Sequence, residues 1–269
     1  MNRRALLRGA AVGMLSPVVA GTPALAAGLT TTSGDSPIPR RPLSGSTGPV
    51  PSRHVTFPAP TLADRLTTLP AETTQLIIVY SEGYTTTYAT METFARDADG
   101  WRSVSAPLPA RIGSKGFSDN HVEGIATTPT GVYSIGPTMY GIAANPGVQY
   151  PYHPLVTNDW WNENPSSPGY NTFQHTSTNP GGASEALWLE KPAYTHFAVI
   201  TYNMPPNVPT PIPNAGSGIF LHEFSTAGGN ATAGCVSLSH DHLVGVLRWL
   251  TPAASPRIVL SPLESLGRY

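Results

Sequence analysis

From residue 75 onward the apolar positions fall into short runs divided by turn residues, the pattern of a chain built from strands. Leu76-Ile77-Ile78-Val79-Tyr80 is continuous and β-branched, which predicts a buried strand. Further strands are predicted over the Thr- and Tyr-rich stretch from Tyr84 to Phe94, over Trp101–Val104, Gly131–Ile135 and Phe197–Tyr202, and finally over Arg257–Leu260. The period changes once. Leu243, Val246, Leu247 and Leu250 recur at i, i+3, i+4 and i+7 after a capping Ser239, and Pro252 closes the run, so one amphipathic helix is predicted from His240. Between Asn145 and Asn179, Asn-Pro and Ser-Pro pairs surround Trp160-Trp161, and this stretch is expected to be a long irregular loop. The chain therefore reads as mainly β, a sandwich or barrel-like domain with a few short helices.

The amino-terminal quarter follows different rules. Asn2-Arg3-Arg4-Ala5-Leu6-Leu7-Arg8 leads into a moderately apolar stretch from Gly9 to Gly21, and Ala24-Leu25-Ala26 is a small-x-small cleavage site. Residues 1–26 are thus expected to be an export signal, too short and too weakly apolar to remain as a membrane span. The Arg3-Arg4 pair resembles twin-arginine signals, from whose fuller pattern Asn2 and Leu6 depart. Residues 27–70, crowded with Pro, Ser, Thr and Gly, are expected to be a linker, and residues 71–269 the folded domain. The expected destination is the cell wall, the periplasm or the extracellular medium.

Composition narrows the function classes. With 26 glycines and 29 prolines, about a fifth of the chain, a helical bundle is disfavoured. The formal net charge of -1 provides no basic face for nucleic acid. Neither Lys115 nor Lys191 stands in the setting of a phosphate-binding loop or of a Ser-x-x-Lys nucleophile. Cys235 is the only cysteine, so an oxidising compartment offers it no disulfide partner within the chain.

The surroundings of that cysteine carry chemistry. An apolar strand, Gly218-Ile219-Phe220-Leu221-His222, is followed by a Gly228-Gly229-Asn230 turn and by Thr232-Ala233-Gly234-Cys235-Val236-Ser237-Leu238. If the turn reverses the chain, the two strands lie about 4.8 Å apart and the imidazole reaches the thiol. An imidazole beside a thiol takes its proton and, once charged, stabilises the thiolate, so the pair predicts a thiol more acidic than the ordinary value of about 8.5. Gly234 leaves open an approach to the amides of residues 234 and 235, which could hold an oxyanion.

The segment resembles the catalytic domain of the L,D-transpeptidases, the YkuD-like family that cross-links peptidoglycan. That family's pattern of a His, a spacer, then Ser/Thr-His-Gly-Cys falls here on His222, Thr232, Ala233, Gly234 and Cys235, and Thr128-Pro129-Thr130-Gly131-Val132-Tyr133 resembles a second family strand. Ala233 stands where the family has His, Ser237 where it has Asn or Arg, and the His–Cys interval is short. The resemblance implies Cys235 as nucleophile, His222 as general base and acid, and Gly234 in the oxyanion hole. It implies an orienting main-chain carbonyl on Glu223, whose carboxylate is a rival for that role. Thr232, Ser237, Glu223, Tyr140 and Trp160 are the expected substrate-binding residues, and peptidoglycan tetrapeptide stems, as donor and acceptor, the expected partners. No cofactor and no metal is expected, since His240-Asp241-His242 lacks a third spaced ligand. A sortase-like thiol enzyme, an L,D-carboxypeptidase and a non-catalytic peptidoglycan-binding module are the competing readings. Ser184, in Gly182-Ala183-Ser184-Glu185-Ala186, is the reserve nucleophile.

Overall fold

The structure, a computed structural model, describes residues 60–225 and 227–269. The expected export signal lies outside the described residues. Four strands open the fold: β1 (Gln75–Ser81), β2 (Tyr88–Asp97), β3 (Gly100–Ser103) and β4 (Leu108–Arg111). Two very short strands, β5 (Phe117–Ser118) and β6 (Thr128–Pro129), precede the long β7 (Gly131–Gly141). Next come β8 (Tyr152–Pro154), β9 (Asp159–Asn162), β10 (Thr172–His175) and β11 (Glu185–Ala186). The chain finishes with β12 (Phe197–Ile200), β13 (Phe220–Glu223), β14 (Val236–Leu238), α1 (His240–Trp249) and β15 (Arg257–Pro262).

Eight of these strands close into a barrel, in the order β1-β15-β7-β12-β13-β14-β4-β2, with β2 pairing back onto β1. Closure leaves none of the eight with a bare edge, which removes the hazard of strand-to-strand aggregation. β1 is apolar throughout because both of its faces are covered. Ile77 and Val79 point into the barrel, while Leu76 and Ile78 pack outward with Phe94, Val259 and Leu266.

The interior is filled partly by the helix. α1 starts at His240, as its sequence period requires, and sends Leu243, Val246 and Leu247 into the same cluster as Leu221, Val236 and Leu260. Each such side chain taken from water contributes about 2 kcal/mol. Ser239 occupies the N-cap without a side-chain bond, and its carbonyl accepts the Leu243 N–H at 2.9 Å.

Two expectations are corrected. The folded body begins inside the expected linker of 27–70: Leu62–Arg65 forms a 3-10 turn that buries Ala63 against Leu76 and Leu266, and the Thr67 N–H reaches the Tyr269 carbonyl. The stretch from Asn145 to Asn179 is not irregular. It contributes β9 and β10 to a three-stranded sheet with β11, and β8 pairs with β7. Period-two patterning could not reveal strands of three or four residues whose aromatics serve two layers at once, as Trp161 does beside Phe220. This small sheet packs over the outside of β12 and β13 through Trp161, Phe197, Phe220 and Cys235. Among the described residues no helix is long and apolar enough to cross a membrane.

Candidate active site

His222 leaves the sheet on β13, and Cys235 sits one residue before β14. The two strands pair in parallel, with Leu221 opposite Val236 and His222 opposite Ser237. The Gly-rich turn therefore does not make a hairpin. It belongs to a connection that carries the chain back to the starting end of β13 before β14 begins. Residues opposite one another share a face, so Leu221 and Val236 fill the barrel while Phe220 and Cys235 lie outside it under the small sheet.

Cys235 is 7% exposed and His222 5%, and both line one narrow cavity together with Tyr194, Gly218, Ile219 and Thr232. The Cys235 thiol donates to the Gly218 carbonyl at 3.2 Å, and the Phe220 N–H donates to the sulfur at 3.3 Å. Nδ1 of His222 lies 2.6 Å from the Glu223 carbonyl, which can only accept. The proton is therefore on Nδ1, and Nε2 carries the lone pair. Burial pushes the imidazole down to about 4, against the Glu223 hydrogen bond, which pulls the other way. At neutral pH His222 is uncharged. The expectation of an imidazolium beside the thiol is thus revised: desolvation makes the charged form of this imidazole too costly.

The Glu223 carboxylate does not orient His222. It accepts from Nδ1 of His240 at 2.9 Å, so this residue uses its main chain for one histidine and its side chain for another.

A hydroxyl lattice shapes the cysteine turn. Thr128 Oγ1 accepts the Gly113 N–H at 2.8 Å and donates to the Gly234 carbonyl at 2.8 Å. Thr232 Oγ1 donates to the Cys235 carbonyl at 2.6 Å and accepts the Gly234 N–H at 3.1 Å. The Gly234 amide is thus engaged by Thr232, which departs from its expected place as an oxyanion donor. Glycine is required there for another reason: φ is +150°, and a Cβ would come within 3.0 Å of the Thr127 carbonyl.

Of the five expected substrate residues only Thr232 lines the cavity; Glu223, with its carboxylate on His240, and three others do not. Tyr140 stacks between Phe173 and Phe197, at ring separations of 5.1 and 5.2 Å. Trp160 meets Trp188 edge to face and donates to the Thr176 carbonyl, and Ser237 is buried with its hydroxyl on the Asn230 carbonyl. Ser184 is occupied in a turn, donating to the Gly181 carbonyl and accepting the Glu163 N–H.

Residues that sequence reasoning did not select also build the site. Tyr194 sets its ring edge-on to His222 at 5.7 Å and donates to Glu185, which also lines the cavity. Asn171, with φ of 57°, accepts from the Gly218 N–H and the Trp161 indole, each at 3.0 Å, and donates to the Tyr202 and Asn203 carbonyls. It thereby holds the loop whose carbonyl receives the thiol. A single Asn in a Gly-Tyr-Asn sequence gives no signal of such reach; Thr128 did lie within a recognised motif.

The barrel thus presents a buried thiol and an uncharged imidazole to one cavity, the pairing that thiol chemistry requires. Residues 78–259 match the family model described as YkuD, the L,D-transpeptidase catalytic domain. The chain belongs to that family. No curated protein and no solved structure gives a significant match.

Proposed function

We propose that this chain is an exported cysteine acyltransferase acting on peptidoglycan stem peptides. The observation that carries the reading is the cavity shared by Cys235 and His222, with Nδ1 committed to Glu223 and Nε2 left as the basic nitrogen. The thiol turns from the Gly218 carbonyl toward Nε2, and sulfur attacks the carbonyl of the diaminopimelate residue as its proton passes to His222. The tetrahedral adduct collapses to a thioester. His222 returns the proton to the departing D-Ala amine. An amine from a second stem then attacks the thioester, gives its proton to His222, and the cross-link leaves as the thiol is restored. Because the buried imidazole rests uncharged, Nε2 is free to take the thiol proton as sulfur attacks.

The signal pattern of residues 1–26 supports the export part of this reading, with the cell wall, periplasm or medium as the destination where the polymer lies. Intact-mass analysis tests the acyl transfer. Incubation with a tetrapeptide stem is expected to add the peptide less its terminal D-Ala, and an added amine to remove it. Cys235→Ala is expected to show no adduct while losing no more than about 2 kcal/mol of stability. An adduct on the alanine variant, or none on the wild type, overturns the reading.

A further inference from the structure

The row of paired residues through the candidate nucleophilic centre continues beyond it. His222 is opposite Ser237, Ser237 opposite Arg111, and Arg111 opposite Tyr88. Directly opposed residues share a face, so all four lie on the outside of the barrel. Three strand spacings separate Tyr88 from His222, about 14 Å. The turn Ala227–Asn230 bridges the middle of this row, its Gly229 carbonyl accepting from Arg111 and its Asn230 carbonyl from Ser237.

Beyond the turn the outer face is open. A depression of about 600 Å³ is lined by Tyr80, Ser81, Glu82, Thr86, Tyr88 and Thr90. Tyr88 is 69% exposed, yet it does not wave free: the Arg111 guanidinium lies 4.0 Å from its ring centroid. Tyr80 pairs with Thr90 across β1 and β2 and donates its hydroxyl to Glu92 at 2.8 Å. The floor combines a braced aromatic ring with hydroxyls and the Glu82 carboxylate. This is the chemistry that receives a pyranose, whose C–H face covers an aromatic ring while its equatorial groups meet hydroxyl and carboxylate oxygens.

Distance selects which sugar. The carbonyl under attack is that of the third stem residue, and three extended residues span about 10 to 11 Å. The lactyl ether that joins the stem to its amino sugar brings the reach to roughly 14 Å, enough to cover the roughly 12 Å from Cys235, two residues before Ser237, across two strand spacings to Tyr88. We propose that the depression under Tyr88 is a saccharide subsite, holding the amino sugar from which the stem hangs while Cys235 works on the peptide. This rests on the acyl-transfer reading above.

A peptide-free disaccharide of N-acetylglucosamine and N-acetylmuramic acid, titrated into the protein and followed by amide NMR, tests it directly. Shifts are expected over residues 80–90 and are expected to vanish in Tyr88→Ala but persist in Tyr88→Phe. In turnover, the disaccharide-linked tetrapeptide is expected to show a KM at least fivefold below that of the free tetrapeptide. Tyr88→Ala is expected to erase that advantage and leave the free tetrapeptide unaffected, which also shows that the variant folds. An absent or displaced NMR response, or an equal loss on both substrates, overturns the subsite. If no peptide acylates Cys235, the acyl-transfer reading fails separately, and the disaccharide titration still decides whether the depression binds sugar.

Discussion

The imidazole of His222 gives its Nδ1 proton to the carbonyl of the next residue, Glu223, across 2.6 Å. That contact sets the tautomer, while burial sets the value of about 4. The acylation rate is therefore expected to hold from neutral pH down to about 4 and to fall below it, as Nε2 becomes protonated and can no longer accept. His222→Ala is expected to cut acylation by roughly a hundredfold or more.

The same group makes stability depend on pH. Its folded value lies below the ordinary 6.5, so between the two the unfolded chain binds the proton first. The contribution is complete above 6.5, declines as pH falls toward 4, and is level below that, a change of about 3 kcal/mol. Denaturant titrations at pH 7 and pH 4.5 are expected to show this slope, and His222→Gln to lessen it.

Replacing Glu223 by Gln removes the charge facing His240 and keeps the main-chain carbonyl under His222. Acylation is expected to change less than threefold. A large loss in single-turnover assays would mean that the carboxylate, not the carbonyl, governs the imidazole.

Thr128→Val deletes the hydroxyl that joins Gly113 to the Gly234 carbonyl and leaves buried polar groups without it. A stability loss of about 1 to 3 kcal/mol is expected from thermal unfolding. Acylation is expected to fall tenfold or more, with Thr128→Ser recovering most of both.

Gly234→Ala must place a methyl 3.0 Å from the Thr127 carbonyl at a φ that favours glycine. The expected cost is about 1 to 3 kcal/mol together with impaired acylation, and a crystal structure of the variant would show the cysteine turn displaced.

Much of this arrangement was legible in the sequence because single periods decided it. The run Leu76–Tyr80 had to be a strand covered on both sides, and the spacing of Leu243 through Leu250 had to be a helix with one apolar face. The direction of β14 was not legible. Gly228-Gly229-Asn230 satisfies the local chemistry of a reversing turn, and only the long-range pairing of Ser237 with both His222 and Arg111 decides for a parallel neighbour. Cys235 and His222 could be brought together from motif spacing, whereas Tyr194 and Asn171 enter from loops whose paths are set by the packing of Trp161 and Phe220. Tyr140 and Trp160 failed as groove residues for a related reason: an aromatic side chain satisfies a stacked layer as readily as a binding cleft.

Only twelve residues, Phe224 through Cys235, join β13 to β14. A parallel neighbour demands that the chain return the full length of the strand it has just left, and about a dozen residues is the least that can do so. The connection does not run taut, because four of its residues coil into the Ala227–Asn230 turn, whose carbonyls hold Arg111 and Ser237. Variation in its length should therefore be one-sided: added residues would bulge outward at small entropic cost, whereas shortening it would first unmake the turn and with it the two contacts that tie this connection to the neighbouring strands.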